Sequence, residues 1–204
     1  MIGGLPAKPT VQYGKHKIPR YIYHLTNKAN YDLIKSDGLI KTSKDELMGK
    51  GVFAVELSNL FKRWNKNNSW GNNSLIGQLL RKVSKNNDTV VILKIPTNKL
   101  NQDNLYIRSQ NIYADYLQVG KTAKENLTHV KKGTPAKDSH LLKGRKHALE
   151  YIYKDDIPIV DVEKIGEVDL RDSSICYSMK PMKSLFEKLL KGTPESKSVE
   201  LLKY

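Results

Sequence analysis

Cysteine is almost absent. Cys176 is the only one in 204 residues, which excludes an internal disulfide and any multi-cysteine metal site. One thiol is compatible with a reducing cytoplasm, and Cys176, beside Asp172, Ser173 and Ser174 with no neighbouring histidine, reads as a bystander rather than a nucleophile. Long apolar runs are missing too. None approaches the roughly 20 residues of a membrane span, and the opening MIGGLPAKPTVQYGKHK has too little apolar length for a secretory signal. The expectation is a soluble, cytoplasmic protein with no membrane partner. The five histidines, His16, His24, His129, His140 and His147, have no i, i+4 pairing and no cysteine partner, so no metal site is expected. There is no G-x-G-x-x-G after a strand and no Walker loop, which removes the common nucleotide-binding folds.

Acidic residues are also in short supply. Thirty-five Lys and Arg stand against 21 Asp and Glu, a formal charge of +14. Such a field attracts nucleic acid, an acidic protein surface or a phosphate-bearing small molecule. The lysines are scattered rather than massed on one helix face, so a merely solvated basic surface is the competing explanation. Hydrophobic residues at 39% and a length sufficient for one sizeable core favour a single globular domain.

The first residues carry Gly3, Gly4, Pro6, Pro9 and Gly14 without periodicity, and residues 1–19 read as an extended arm. A strand follows at 21–26. Asn27 or Asn30 caps a helix bearing Tyr31, Leu33 and Ile34, closed by Gly38. Residues 49–56 read as a β segment, 57–64 as a short helix, 65–73 as a loop around Trp70, and 75–83 as a second helix. The strongest strand is 89–95, stopped by Pro96, with shorter ones at 105–107 and 112–119. Residues 120–146 are polar and basic without a period, hence a long loop. A strand at 148–153, one or two strand pieces in 160–168 and a helix at 182–191 complete the core, and 193–204 read as a frayed tail. Short strands clustered around few helices give an α+β class.

Three segments carry chemistry-bearing residues in close company: Tyr23-His24-Leu25-Thr26, Gly49-Lys50-Gly51-Val52-Phe53-Ala54 and Ala148-Leu149-Glu150-Tyr151-Ile152-Tyr153. In this order they resemble the His–Tyr–Glu branch of the ADP-ribosyltransferase superfamily, to which diphtheria toxin and the poly(ADP-ribose) polymerases belong. GKGVFAVELSN is similar to the polymerases' G-K-G-I-Y-F-A-D, ALEYIYKDDIPIVDV to their N-E-Y-I-V-Y-D, and YHLTNKANYDLIKSDGL to the opening of DNA- and RNA-modifying members. The resemblance covers roughly residues 20–165. Alone, each piece reads as ordinary structure: a hydrogen-bonded strand histidine, a core phenylalanine, a surface glutamate beside Arg145 and Lys146. The specificity lies in their order.

The resemblance implies a split antiparallel β-sheet core with a few flanking helices. It implies one catalytic domain over 20–192 and NAD as co-substrate. By position, His24 holds the nicotinamide-side ribose, a diol that suits an imidazole able to donate and accept. Thr26 assists, and Gly51 lets the backbone approach the nicotinamide amide. Phe53 stacks on the nicotinamide; the family's hydroxyl is lost, but stacking needs only a π face. Glu150 is the catalytic carboxylate, stabilising positive charge as nicotinamide leaves.

The loop before Glu150 holds Arg145, Lys146 and His147, and together with Trp70 these are the expected acceptor-binding residues, with Tyr113 or Tyr116 as further stacking candidates. Arginine-modifying relatives carry a second acid two positions before the glutamate; here it is Ala148, which argues against that acceptor. The expected activity is mono-ADP-ribosylation of a nucleobase in DNA or RNA, as in toxin–antitoxin or phage-defence effectors, with an antitoxin as partner. Modification of protein is the alternative within the class. An RNA 2′-phosphotransferase would need an arginine set that Arg20, Arg63 and Arg145 do not obviously reproduce. A non-catalytic basic nucleic-acid-binding module is the rival from another class.

Overall fold

A computed structural model describes residues 13–14, 18–45, 49–56, 89–109, 128–129, 134–135, 149–169, 187 and 191. Among these are twelve strands: β1 Tyr13–Gly14, β2 Tyr21–Asn27, β3 Leu39–Ile40, β4 Ser43–Asp45, β5 Gly49–Val55, β6 Thr89–Pro96, β7 Leu105–Ser109, β8 Thr128–His129, β9 Thr134–Pro135, β10 Leu149–Tyr153, β11 Ile157–Pro158 and β12 Glu163–Asp169. One α-helix, α1, spans Lys28–Asp37. The main sheet runs β12-β6-β2-β5-β10-β7-β8, with β4 also paired to β5, and its pairings are antiparallel. The class is α+β. Among the described residues no helix is long and apolar enough to cross a membrane.

The strand β6 shows why the sheet holds. Val90 through Ile95 are all buried, so both faces are covered and the sequence shows a continuous apolar run instead of alternation. Lys94 is the exception within that run. Its ammonium lies 3.1 Å from Glu163 on β12 and 4.4 Å from the centre of the Tyr21 ring, which offset its desolvation. Around Val91, Leu93 and Ile95 gather Ile22, Val52, Ala54, Tyr151 and Ile107, with Ile34 of α1 packed on the same side.

Of the two candidate caps, Asn27 is the one used. Its side-chain oxygen accepts from the Asn30 backbone N–H at 2.7 Å, so Asn30 is the capped residue. Gly38 ends the helix at φ 69°, the left-handed conformation that glycine reaches without a Cβ penalty. Elsewhere the structure adds to the pattern in the sequence. The stretch 120–146 contains β8, paired to β7, and β9, paired to β1. Two-residue pairings are too short to leave a periodicity. The end of the expected arm is also tied in, since Thr97 donates from its backbone N–H to the Arg20 carbonyl at 3.0 Å and from its hydroxyl to the Pro19 carbonyl at 2.5 Å. The helices expected at 57–64 and 75–83 and the strand at 112–119 lie outside the described residues, as does the 182–191 helix apart from Glu187 and Lys191.

Candidate active site

The site begins with an interrupted ladder. On the edge of β5 away from β10, Val55 pairs with Tyr23 of β2, while the start of β5, Gly49 to Gly51, pairs with Asp45 to Ser43 of β4. Between those pairings no residue of β2 or β4 is registered opposite Phe53. The His24 ring donates to its carbonyl there, with Nδ1 2.7 Å from the Phe53 oxygen.

That bond fixes the imidazole chemically. A carbonyl only accepts, so Nδ1 carries the proton, and in the neutral ring Nε2 is then an acceptor. Burial lowers the His24 pKa below its ordinary 6.5, with the hydrogen bond to Phe53 working partly against it. His24 is therefore neutral at physiological pH, an acceptor poised for a hydroxyl.

A cleft of about 510 Å³ opens where β2 and β5 part. Five consecutive β2 residues, Tyr23 to Asn27, line it, as do Val52 to Val55 of β5. Consecutive residues of a strand point to opposite faces, so the cleft runs along the strand edges rather than over one face. Register makes the same point. Phe53 stands opposite Ile152, and Val55 stands between Tyr23 and Glu150, so Phe53 and Glu150 share a face that His24 does not. The gap between the strands lets both sides reach one space.

Glu150 completes the set from β10, the next strand over. It is 4% exposed, with Val55 and Arg108 as its register neighbours. His24, Phe53 and Glu150 thus come from three adjacent strands and all line the cleft. Thr26, 5% exposed, lines it as well. Gly51 does not. A Cβ there would come within 2.7 Å of Ile152 Cγ2 and 3.1 Å of the Tyr153 carbonyl, so glycine is required by the contact of β5 with β10. Arg63, Trp70, Tyr113, Tyr116, Arg145, Lys146 and His147 lie outside the described residues.

Several lining residues carry no motif. Asn30, Leu33, Ile34 and Asp37 form an i, i+3, i+4, i+7 stripe of α1 along the cleft. Leu33, which looks like core in the sequence, is 60% exposed there. Lys41 and Ser43 also line the cleft, with Lys41 held 2.9 Å from Asp37. The helical spacing is the signal in the sequence; that the stripe lines a cleft depends on the strands it packs beside. Among the described residues no group of three or more His, Cys, Asp or Glu is placed to hold a metal.

No family model, no curated protein and no solved structure matches the chain.

Proposed function

We propose that the chain is an NAD-dependent mono-ADP-ribosyltransferase, with the split sheet of that superfamily, that transfers ADP-ribose to a nucleobase of DNA or RNA in the manner of a toxin or phage-defence effector. The observation that carries this reading is the meeting of His24, Phe53 and Glu150, widely separated in the chain, around one cleft. Its volume, about 510 Å³, falls within the usual range for small-molecule sites.

The residues present fit a dinucleotide with a ribose to grip and a flat ring to stack. His24 Nε2 accepts from a ribose hydroxyl, its ring held by the bond to Phe53. The Phe53 ring offers a π face to nicotinamide. The Glu150 carboxylate accepts from the ribose 2′-hydroxyl and opposes the positive charge that develops at the anomeric carbon. Its burial makes that stabilisation stronger than water would allow. NAD supplies a glycosidic bond whose leaving group, nicotinamide, departs as a neutral molecule. The acceptor atom forms the new bond and gives up its proton.

Incubation of the full chain with adenylate-labelled NAD and separate DNA, RNA and protein pools tests the reading. Nicotinamide release with label in a nucleic-acid pool is the expected result. Label in protein alone removes the nucleobase acceptor, and absence of nicotinamide release with every pool removes the enzyme.

A further inference from the structure

The flank of α1 across the helix from its cleft-lining stripe carries an arrangement that the reaction does not use. Tyr31 packs its ring against the core on one side. Around that ring stand three ammonium groups, Lys28 at 5.2 Å from the centroid, Lys35 at 6.0 Å and Lys164 at 5.3 Å. Lys28 and Lys35 are the i−3 and i+4 neighbours of Tyr31 on the helix surface. Lys164 reaches over from β12, the edge strand. The ring thus gathers cations from two elements by cation–π attraction.

The carboxylates nearby cancel this charge only in part: Asp32 and Glu167 stand against three ammonium groups, Glu167 lying 4.0 Å from Lys28 as well. Asp32 holds Lys28 at 2.7 Å and Glu167 holds Lys164 at 2.5 Å, but the Lys28 and Lys164 side chains are 41% and 36% exposed. Exposed pairs of this kind are worth about 0–1 kcal/mol, so a phosphate displaces them readily. Lys35 is paired with no carboxylate among the described residues.

We infer that this flank docks the phosphodiester backbone of a single-stranded nucleic acid across α1 from the cleft. The inference deepens the acceptor half of the proposed function and rests on it. Three cations focused on one ring, in a chain of charge +14, are suited to neighbouring phosphates of one strand. Enzymes that act on a nucleobase need it out of the stack, which favours a single strand over a duplex. At about 100° of turn per residue, 28 and 35 lie across α1 from 30, 34 and 37, with 31 and 34 as the neighbouring pair, so a strand held there has to pass over the helix to bring a later nucleotide to the cleft.

The test is fluorescence anisotropy of an end-labelled single-stranded oligonucleotide against salt, using the full chain. For K28Q/K35Q/K164Q the log–log salt slope is expected to become shallower by about 2, from about 0.7 per lost phosphate contact. Affinity near physiological salt should fall at least about tenfold. The K28R/K35R/K164R variant should retain binding. K35Q alone, at an exposed site with no ion pair among the described residues, should lower the slope by about 0.7 even if the triple variant folds poorly. Unchanged slope and affinity in the Gln variants overturn the inference. So does a wild-type chain that binds anionic vesicles or an acidic peptide but not the oligonucleotide. Nicotinamide release from NAD without nucleic acid should be the same in wild type and variants. Persistent release with an unaltered slope removes the docking surface alone, whereas a shallower slope with no release from wild type removes the transferase alone.

Discussion

Glu150→Gln keeps the size of the side chain at 150 and its hydrogen-bonding oxygen but removes the negative charge. If the carboxylate opposes charge developing on the ribose, nicotinamide release should fall by about 10² to 10³, the usual scale for losing one electrostatic stabiliser. NAD binding, followed by calorimetry, should persist. Full turnover in this variant would separate Glu150 from the chemistry. His24 makes a prediction about pH. Its folded pKa lies below the ordinary 6.5, so in the interval between them the unfolded chain binds the extra proton. Its contribution to stability is complete above 6.5 and is lost as pH falls from there through the folded value. Denaturant titrations across that range should show the decline in the wild type and a flatter curve in His24→Asn; parallel curves would contradict it. At this scale much was legible, because His24, Phe53 and Glu150 each sit in a segment with a strong strand pattern. The choice between Asn27 and Asn30 was not, since either type caps a helix and only the path of the backbone decides.

Elements were legible where their patterns were long. The strand β6 and the helix α1 announce themselves by an apolar run and by a stripe closed with Gly38. The strands β8 and β9 do not, because two residues carry no period and their existence depends on partners far away in the chain. Gly51 illustrates the same limit. Its neighbour in space, Ile152, is supplied by another strand, so the need for glycine is invisible in the local sequence. Gly51→Ala forces the added methyl against Ile152 Cγ2 and the Tyr153 carbonyl, moving β5 away from β10. We expect a loss of about 1–3 kcal/mol, the usual cost of overpacking, read by urea denaturation. A variant as stable as wild type would mean that the two strands separate freely.

Over the whole molecule, the order of strands is what the sequence hid. That β2, β5 and β10 are neighbours follows from long-range pairing, which local propensity does not encode. One contact that helps hold this arrangement is also titratable. The Thr42 backbone N–H donates to Asp156 Oδ1 at 2.8 Å, across 114 residues of chain. This bond, assisted by the charges of Lys50 and Lys41, keeps the Asp156 carboxyl below its ordinary 3.8. The sign follows: the stabilisation is complete above 3.8 and is lost as pH falls through the folded value. The wild type should therefore lose stability more steeply below 3.8 than its other carboxylates alone would give, and Asp156→Asn should lose that part of the acid slope. An identical acid limb in the two proteins would remove the tether from the account.

Among the described residues β2 and β5 share one registered pair, Tyr23 with Val55, and it divides the sheet into two panels, one carrying the imidazole and the other the carboxylate. Besides the apolar core they share, the panels meet among the described residues at that rung and at one ring-to-carbonyl bond, so their mutual angle sets the aperture between the two groups. Substitutions on the outermost strands, far from any bound molecule, can thus retune the pocket by tilting a panel. A compound that bridges both panels would act as a clasp, locking the aperture as it binds.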